Sequence, residues 1–336
     1  MENKRPILTL RNVRTYFPVK KGIFKTVVGH VKAVDGVDLE VYHGETMGLV
    51  GESGCGKTTL GKSILQLAKP TDGEILYDFD GQNKDLRTLP RNEMDEARQR
   101  MQIVFQDPYS SLNPAFTIFG SLEDPLRKYG VRTRAERRKI IGDLLEAVNM
   151  RPEYMDRYPH EFSGGQRQRI GVARALCVNP ELVVCDEAVS ALDVSIRAQV
   201  LNLLLKLKKE RGLTYLFISH DLSVVEYVSD RIAVMYLGKI VELADADALY
   251  AGPKHPYTQA LLSAIPVADL DHKSKRIVLE GDVPSPVNPP SGCPFHPRCP
   301  QRMDRCSSVV PPLKKYLENG REHSVSCHLY GNEATN

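Results

Sequence analysis

The segment from Gly51 to Thr58 reads GESGCGKT and has the residue types of a phosphate-binding loop. It follows an apolar run of strand character and precedes the helical pattern TLGKSILQLA, the context that such a loop requires. Glycines let the backbone curl so that several N–H groups point at phosphate oxygens, and the helix start adds a favourable dipole. The residues predicted to contact the phosphates are Gly51, Glu52, Ser53, Gly54, Cys55, Gly56, Lys57, Thr58 and Thr59. Lys57 is expected to reach the β and γ phosphates, and the Thr58 hydroxyl to bind Mg²⁺.

Polar residues end three further apolar runs. ELVVCDE ends in Asp186 and Glu187, MQIVFQD contains Gln106, and TYLFISH ends in His220. Because ligands bind at the carboxyl ends of strands in open α/β sheets, Asp186 is expected to hold Mg²⁺ and Glu187 to orient or deprotonate an attacking water. Gln106 is expected to sense Mg²⁺ or that water, and His220 to contact the γ-phosphate. A single Gln or His at a strand end is more often an ordinary surface residue, so the prediction depends on all four occurring together.

These residues need a sheet to position them, and the chain alternates short β-rich runs with amphipathic helices. The runs at 45–51, 101–107, 181–187 and 214–220 suit strands buried on both faces of a mostly parallel sheet. The helical pattern IRAQVLNLLLKLKKERG ends at Gly212, which suits a helix C-terminus. The alternation predicts the α/β class.

Three segments depart from this alternation. Residues 107–180 contain helical patterns without an intervening strand and are predicted to form a helical insertion. Before about residue 45, LTLRNV and AVDGVDLEV predict a small antiparallel sheet whose strands are separated by a longer polar connection. After about residue 252 the character of the chain changes, and the segment VPSPVNPPSGCPFHPRCP is too rich in proline for a helix or a central strand, which predicts a separate C-terminal extension.

Composition limits the classes of partner. The 336 residues include 45 basic and 42 acidic side chains, so charge gives no reason to expect nucleic acid or an anionic membrane surface. We find no signal peptide and no apolar stretch of about 20 residues, so a membrane role would need partner proteins. Four of the seven cysteines lie in the tail, at Cys293, Cys299, Cys306 and Cys327. Without an export signal, this cluster favours a metal or cluster site over disulfides.

The motif FSGGQRQR, residues 162–169, is the point at which the chain resembles the ATP-binding cassette (ABC) family, whose signature is usually LSGGQ. The match continues, in the family's order, through the phosphate loop, Gln106, Asp186, Glu187, the SALD stretch at 190–193, and His220. Ser163, Gly164, Gly165 and Gln166 begin a helix and so form a second predicted anion site.

The resemblance implies a P-loop ABC nucleotide-binding domain, with a RecA-like mostly parallel core, a small antiparallel β subdomain and a helical subdomain. It implies an ATPase that uses ATP and Mg²⁺ and works as a head-to-tail dimer, each ATP lying between one phosphate loop and the partner's signature. It also implies an aromatic residue on the adenine, for which Phe17 is preferred over Tyr16, although either could be an ordinary core aromatic. Phe162 in place of Leu, and Ala188-Val189 in place of the commoner Pro-Thr, remove no catalytic group.

QDPYSSLNP (106–114) and HPYTQALLSAIP (255–266) resemble the oligopeptide and dipeptide importer branch. This implies domains at 1–254 and 255–336, with a helical subdomain at about 107–180. It implies a second, non-identical ATPase subunit, two transmembrane permease subunits and an extracellular substrate-binding protein, and a place at the cytoplasmic face of the membrane, with no nucleic acid. Tyr109, Leu112 and Phe116 are expected either to face the permeases or to form the core of the insertion.

The four tail cysteines have three possible interpretations: an iron–sulfur cluster, a zinc site, or no metal. Some members of the branch have a similar tail with a [4Fe-4S] cluster, which makes the four cysteines its expected ligands. His296, His323 and His328 leave zinc open, although no tight C-x-x-C pair is present, and a tail without metal is the third interpretation.

Three alternative functions remain open. Nickel or oligosaccharide replaces peptide as cargo in some members of the branch. A soluble ABC ATPase acting on nucleic acid or ribosomes usually has two cassettes or a long coiled coil, and neither pattern is present here. A regulator that binds nucleotide without hydrolysis is the third class, which the presence of Glu187 and His220 disfavours.

Overall fold

The structure, a computed structural model, describes residues 5–107, 112–265, 277–318 and 320–330. Within these ranges lie strands β1 to β12, at Pro6–Lys21, Thr26–Tyr42, Thr46–Val50, Asp72–Phe79, Gln82–Asp85, Met101–Val104, Leu182–Asp186, Thr214–Ile218, Arg231–Tyr236, Lys239–Asp245, Lys314–Glu318 and Arg321–Val325. Helices α1 to α9 span Lys57–Ile64, Arg91–Arg100, Ile118–Lys128, Arg134–Ala147, Gly164–Leu176, Val194–Arg211, Leu222–Val228, Ala246–Ala251 and Pro256–Ser263.

The chain folds into two compact units, each built from separated segments. The first unit contains residues 5–7, 42–46 and 88–218, and the second contains residues 8–41, 47–87 and the rest of the described chain from 219 onwards. Each unit has its own sheet strands and its own part of the predicted site.

The first unit has three parallel strands in the order β8, β7, β6, with Val184 of β7 opposite Ile103 and Leu216. All five residues of β7 are buried, as expected for a strand covered on both faces. Helices α3, α4 and α5 follow β6, and the described residues between β6 and β7 contain no strand. Helix α6 runs from the N-cap Asp193 to Gly212, whose φ of 65° ends the helix in the left-handed region.

The second unit contains an antiparallel sheet in the order β2, β1, β4, β5. The sequence indicated two short strands with a longer connection, but β1 and β2 continue until only the turn at 22–25 separates them. The reason is the β-branched and aromatic residues in TYFPV and TVVGHV, which favour extended backbone. Strands β4 and β5 were not predicted, although Asp80-Gly81, both at positive φ, is a strong hairpin signal.

The second sheet of this unit has the order β11, β12, β10, β9, β3, where only β9 and β3 pair in parallel. The proline-rich segment at 283–300 has neither an α-helix nor a strand, as predicted, and contains one short 3-10 helix at His296–Arg298. The tail nevertheless ends in the β11–β12 hairpin, and β12 pairs with β10. The α/β class with a small antiparallel sheet is therefore confirmed, and the tail adds strands that the sequence had not indicated.

A buried carboxylate holds this tail hairpin to helix α9. Glu242 of β10 is fully buried, and one of its oxygens lies 2.7 Å from His323 Nε2 on β12 and accepts the Lys254 N–H at 2.6 Å. Its other oxygen accepts the His255 N–H at 3.0 Å. Both oxygens thus have partners, which is what a buried charge needs.

We predict that His255 makes the stability of this region depend on pH. The residue is buried, and its Nδ1 accepts the Tyr257 N–H at 3.1 Å, a cap that requires this nitrogen to be unprotonated. Burial lowers the pKa of His255 to about 4, against the attraction of Glu242, whereas an unfolded histidine titrates near pH 6.5. Between these values the unfolded chain binds more protons, so stability should fall as the pH drops from 6.5 towards 4, by about 3 kcal/mol at most.

The test compares thermal midpoints of the wild type and His255→Asn at pH 7.5 and pH 5. Asparagine can accept the same N–H but does not titrate. The wild type should lose more stability on acidification than the variant, and equal losses in both proteins would contradict the prediction.

Candidate functional site

The phosphate loop connects β3 to α1 and depends on glycine at two positions. Gly51 has a φ of 149°, and a Cβ there would lie 2.1 Å from the Met235 carbonyl oxygen. Gly56 has a φ of 109°, and its Cβ would lie 2.0 Å from the Ala33 carbonyl oxygen. The loop therefore takes a shape that only glycine permits at these positions, and this shape is a cradle for an anion.

The Lys57 side chain lies inside the loop and bonds to its backbone. Its Nζ donates to the carbonyl oxygens of Gly51 at 2.7 Å and Glu52 at 3.0 Å, and the side chain is buried. Ser53 and Gly54 are exposed at the loop's outer turn, and Thr58 and Thr59 are half-buried in the first turn of α1. The ammonium group is thus held at the start of α1. A helix N-terminus favours a bound anion, so the positive charge of Lys57 and the helix dipole would attract the same phosphate.

Cys55 is also buried in the loop. Its carbonyl oxygen accepts the Gly238 N–H at 2.9 Å, which ties the loop to the turn between β9 and β10. Burial raises the pKa of the Cys55 thiol, although the nearby Lys57 opposes this. The thiol therefore stays neutral and fills space.

His220 belongs to the same unit as the loop. The N–H of Ser219 donates to the Leu49 carbonyl oxygen at 3.2 Å, which attaches the residue before His220 to the strand that leads into the loop. The next residue, Asp221, is the N-cap of α7. His220 is exposed between these two fixed neighbours.

Asp186 and Glu187 lie at the carboxyl end of β7 in the first unit. Asp186 is buried, and Glu187 has a φ of 48°, an uncommon conformation for a residue with a Cβ. The Glu187 N–H donates to the Ile218 carbonyl oxygen at 2.9 Å, so the strained residue is fixed by the neighbouring strand.

The structure brings Gln106 to Glu187. The Gln106 Nε2 donates to Glu187 Oε2 at 3.0 Å, although 81 residues separate them in the chain. A carboxylate held in this way is of the chemical type that accepts a proton from water. The two residues were predicted separately and form one polar pair here.

The signature segment begins helix α5. Ser163 is the N-cap, its hydroxyl accepts the Gln166 N–H, and its own N–H donates to the Gln166 side chain at 3.0 Å. A Cβ at Gly165 would lie 2.3 Å from Ile196 Cγ2 of α6, whereas one at Gly164 would meet nothing within 4 Å. Gly165 therefore allows α5 and α6 to approach, and Gly164 keeps the helix start open.

The two candidate aromatic residues differ in their surroundings. Phe17 is 42% exposed, so its ring has a free face. The Tyr16 hydroxyl donates to Asp35, which also pairs with Lys239 at 3.0 Å. Burial, and then the bond to Asp35, raise the pKa of Tyr16 to about 12.

Comparison with known proteins bears on these arrangements. A family model described as ABC transporter matches residues 34–190, and one described as the C-terminal region of oligopeptide/dipeptide transporters matches residues 241–306. The oligopeptide transport ATP-binding protein AppF of Bacillus subtilis is 52% identical over 98% of both chains. The chain belongs to the ABC transporter family. A probable peptide ABC transporter ATP-binding protein of Sinorhizobium fredii is 51% identical over 96% of this chain and 90% of its own length.

Solved cassette structures agree with the fold of this ABC protein. The dimeric post-hydrolysis structure of the cassette MJ0796, bound to ADP and phosphate, has a TM-score of 0.61 and 30% identity. It covers 71% of this chain and 98% of its own. The predicted fold class and family are thereby confirmed, and so is the prediction that this chain is an ATPase.

The four tail cysteines of this ABC subunit are free thiols. Burial raises the pKa of Cys293 and of Cys327 to about 11, and neighbouring cysteines add to the rise. Among the side chains that the structure describes, no group of three or more His, Cys, Asp or Glu is placed to hold a metal ion. The predicted [4Fe-4S] cluster therefore has no support from this arrangement, and no step of the proposed mechanism uses one.

Two further predictions concern the insertion and the membrane. Leu112 is buried and Phe116 is 52% exposed, whereas Tyr109 and Pro266 lie outside the described residues.

In the ranges that the structure describes, no helix has the length and apolar character needed to cross a bilayer.

Sequence reasoning missed two residues that contact the loop. Arg298 and Tyr257 of the C-terminal region both bond to Glu52. Tyr257 lies in the HPY motif and Arg298 between two of the tail cysteines, but nothing in either motif indicates a loop contact.

Proposed function

We propose that this chain is the ATP-hydrolysing subunit of an importer whose cargo is oligopeptides or dipeptides. The observation that supports the cargo most directly is the match over nearly the full length to an oligopeptide transport ATP-binding protein, together with the matched C-terminal region. The wider ATPase assignment also has the support of the loop geometry at Gly51 and Gly56.

ATP binding is assigned to the phosphate loop. The backbone N–H groups between Gly51 and Thr59 bind the phosphates, and Lys57 contacts the β and γ phosphates. Thr58, Asp186 and Gln106 hold Mg²⁺, which supplies charge neutralisation when it is bound. Phe17 is proposed for the adenine ring, because one face of its side chain is exposed.

Hydrolysis is assigned to Glu187, Gln106 and His220. Glu187 accepts a proton from the attacking water, and the hydrogen bond from Gln106 fixes the orientation of the carboxylate. His220 contacts the γ-phosphate and stabilises the charge that develops on it. The fixed backbone of Glu187 and of the residue before His220 supports these roles, because catalytic groups need preorganised positions.

The signature segment is assigned to a partner's nucleotide. Ser163, Gly164, Gly165 and Gln166 present the start of α5, an anion site that would bind the ATP held by a second, non-identical ATPase subunit. The similar cassette MJ0796, which is a dimer in its post-hydrolysis state, supports a dimeric arrangement of this kind.

The remaining assembly follows from the importer role. We place the chain at the cytoplasmic face of the membrane, beneath two permease subunits that receive cargo from an extracellular binding protein. Residues 1–254 form the nucleotide-binding domain, including the helical subdomain at about 107–180, and residues 255–336 form the C-terminal extension. No nucleic acid enters this proposal.

Copurification and uptake test the proposal. Solubilised membranes containing the tagged full chain should yield two integral membrane subunits and a second ATPase. Cells that lack this chain should lose uptake of a labelled tripeptide and regain it with the wild-type protein. Loss of nickel or oligosaccharide uptake with normal peptide uptake would move the cargo assignment, and recovery of ribosomes alone would exclude the importer.

A further inference from the structure

The C-terminal region of this chain bonds to the side chain of the second residue of the phosphate loop. Arg298 Nη1 donates to Glu52 Oε2 at 2.8 Å, and Nη2 donates to Oε1 at 3.2 Å. The Arg298 side chain is 8% exposed and that of Glu52 is 27% exposed. Two parallel, charge-assisted bonds of this kind fix both position and orientation, so this pair differs from a mobile surface pair.

The same residue of the loop is also held through its backbone. The Glu52 N–H donates to the Tyr257 hydroxyl at 2.8 Å. The Tyr257 ring is fully buried, with ring centroids 4.7 Å from Tyr236 and 5.4 Å from Phe295. Because the ring is packed between two aromatic residues, its hydroxyl is a fixed acceptor.

These contacts lead directly to the phosphate-binding lysine. The Glu52 carbonyl oxygen accepts a hydrogen bond from Lys57 Nζ at 3.0 Å. A shift of Glu52 would therefore move one of the groups that hold the ammonium. The carboxylate of Glu52 also lies within the loop that receives a polyanion, and Arg298 supplies the charge that compensates it.

We propose that Arg298 and Tyr257 are positioning residues of the nucleotide site, so that the C-terminal region forms part of the ATP-binding apparatus. Arg298 neutralises and orients Glu52, and Tyr257 fixes the backbone of the same residue. The inference rests on the proposed role of the loop in ATP binding. It gives the C-terminal region of this subunit a task that does not depend on the cargo.

The first measurement is ATP affinity of the full chain, with Mg²⁺ and a fluorescent ATP analogue as the probe. Arg298→Gln should raise the dissociation constant about tenfold, because the charge-assisted bonds that hold Glu52 are lost and its carboxylate faces the phosphates uncompensated. Arg298→Lys, which keeps the charge but not the fork, should give a smaller rise. Arg302→Gln, an exposed arginine of the same region, is the matched control and should bind as the wild type does.

A second variant separates charge compensation from a purely structural anchor. Adding Glu52→Gln to Arg298→Gln removes the uncompensated carboxylate, so most of the lost affinity should return. If Arg298 only stabilised the fold of the C-terminal region, the double variant would bind ATP as weakly as the single one, and that result would overturn the proposal. In turnover assays, Arg298→Gln should raise KM for ATP with little change in kcat.

The outcomes are distinguishable from a failure of the proposed function. If the wild type bound no ATP, the loop assignment itself would be lost. If the wild type bound ATP and both Arg298 variants bound it equally well, only the positioning role would be excluded. Tyr257→Phe, which keeps the ring but removes the hydroxyl, should show a smaller loss of affinity in the same direction.

Discussion

Replacement of Glu187 by glutamine should lower ATP turnover at least about 100-fold and leave ATP affinity nearly unchanged, because a general base contributes roughly that much to a rate. Glutamine preserves the shape of the side chain and can still accept the hydrogen bond from Gln106. It cannot take a proton from water at neutral pH. The measurement is single-turnover phosphate release from the assembled transporter, beside ATP binding by the full chain.

Glu210→Gln is the matched control, since Glu210 lies on α6 away from the end of β7 and pairs only loosely, at 3.8 Å, with Lys206. It should leave both quantities unchanged. If Glu187→Gln retained more than about a tenth of wild-type turnover, Glu187 would not be the general base. The dimer offers a second readout, because a variant that binds ATP but does not cleave it should accumulate closed dimers on gel filtration.

The elements around this site could be predicted because local pattern and tertiary position agree. β7 is apolar from Leu182 to Cys185, as a strand that is covered on both faces has to be, and only its last residue, Asp186, is charged. Helix α6 begins after Asp193, whose side chain caps the first turn, and ends at Gly212, which adopts left-handed backbone. Both effects are properties of single residues and can be predicted from them. Gly51 and Gly56 likewise predict the backbone shape of the phosphate loop from the local sequence alone.

Other features depend on contacts that no local pattern reports. The pair Arg298 and Glu52 joins residues 246 positions apart, and both look like ordinary charged residues in the sequence. The pairing of β12 with β10 was hidden for the same reason, since KKYLE and REHSV are too polar to indicate buried strands in the sequence. Asp80-Gly81 is a different case, because the hairpin signal was present locally and was overlooked.

The same distinction, between features set by local sequence and features set by long-range contacts, applies to the candidate site. Residue types and spacing select Gln106 and Glu187, yet the 3.0 Å bond between them follows from the pairing of β6 with β7. Glu187 also has a positive φ, and its N–H bonds to Ile218 on β8, neither of which its sequence neighbours indicate. Sequence thus predicts which groups do chemistry, whereas their orientation requires the sheet.

Replacement of Lys57 by alanine should raise the dissociation constant for ATP about 100-fold, because a charged hydrogen bond to the phosphates contributes about 1.5–3 kcal/mol. The same change removes the donor that joins the carbonyl oxygens of Gly51 and Glu52, so the loop loses its internal brace. Isothermal titration of the full chain with ATP and Mg²⁺ measures the effect.

Two comparisons identify the cause of this loss. Lys62→Ala removes an exposed lysine from the last turn of the same helix and should leave ATP affinity unchanged. Lys57→Arg keeps the charge, but the wider guanidinium cannot occupy the space between two carbonyl oxygens that hold a single ammonium, so it should bind ATP nearly as poorly as alanine. Wild-type affinity in Lys57→Arg would mean that charge alone matters, and the bonds of Lys57 to Gly51 and Glu52 would then have no part in shaping the site.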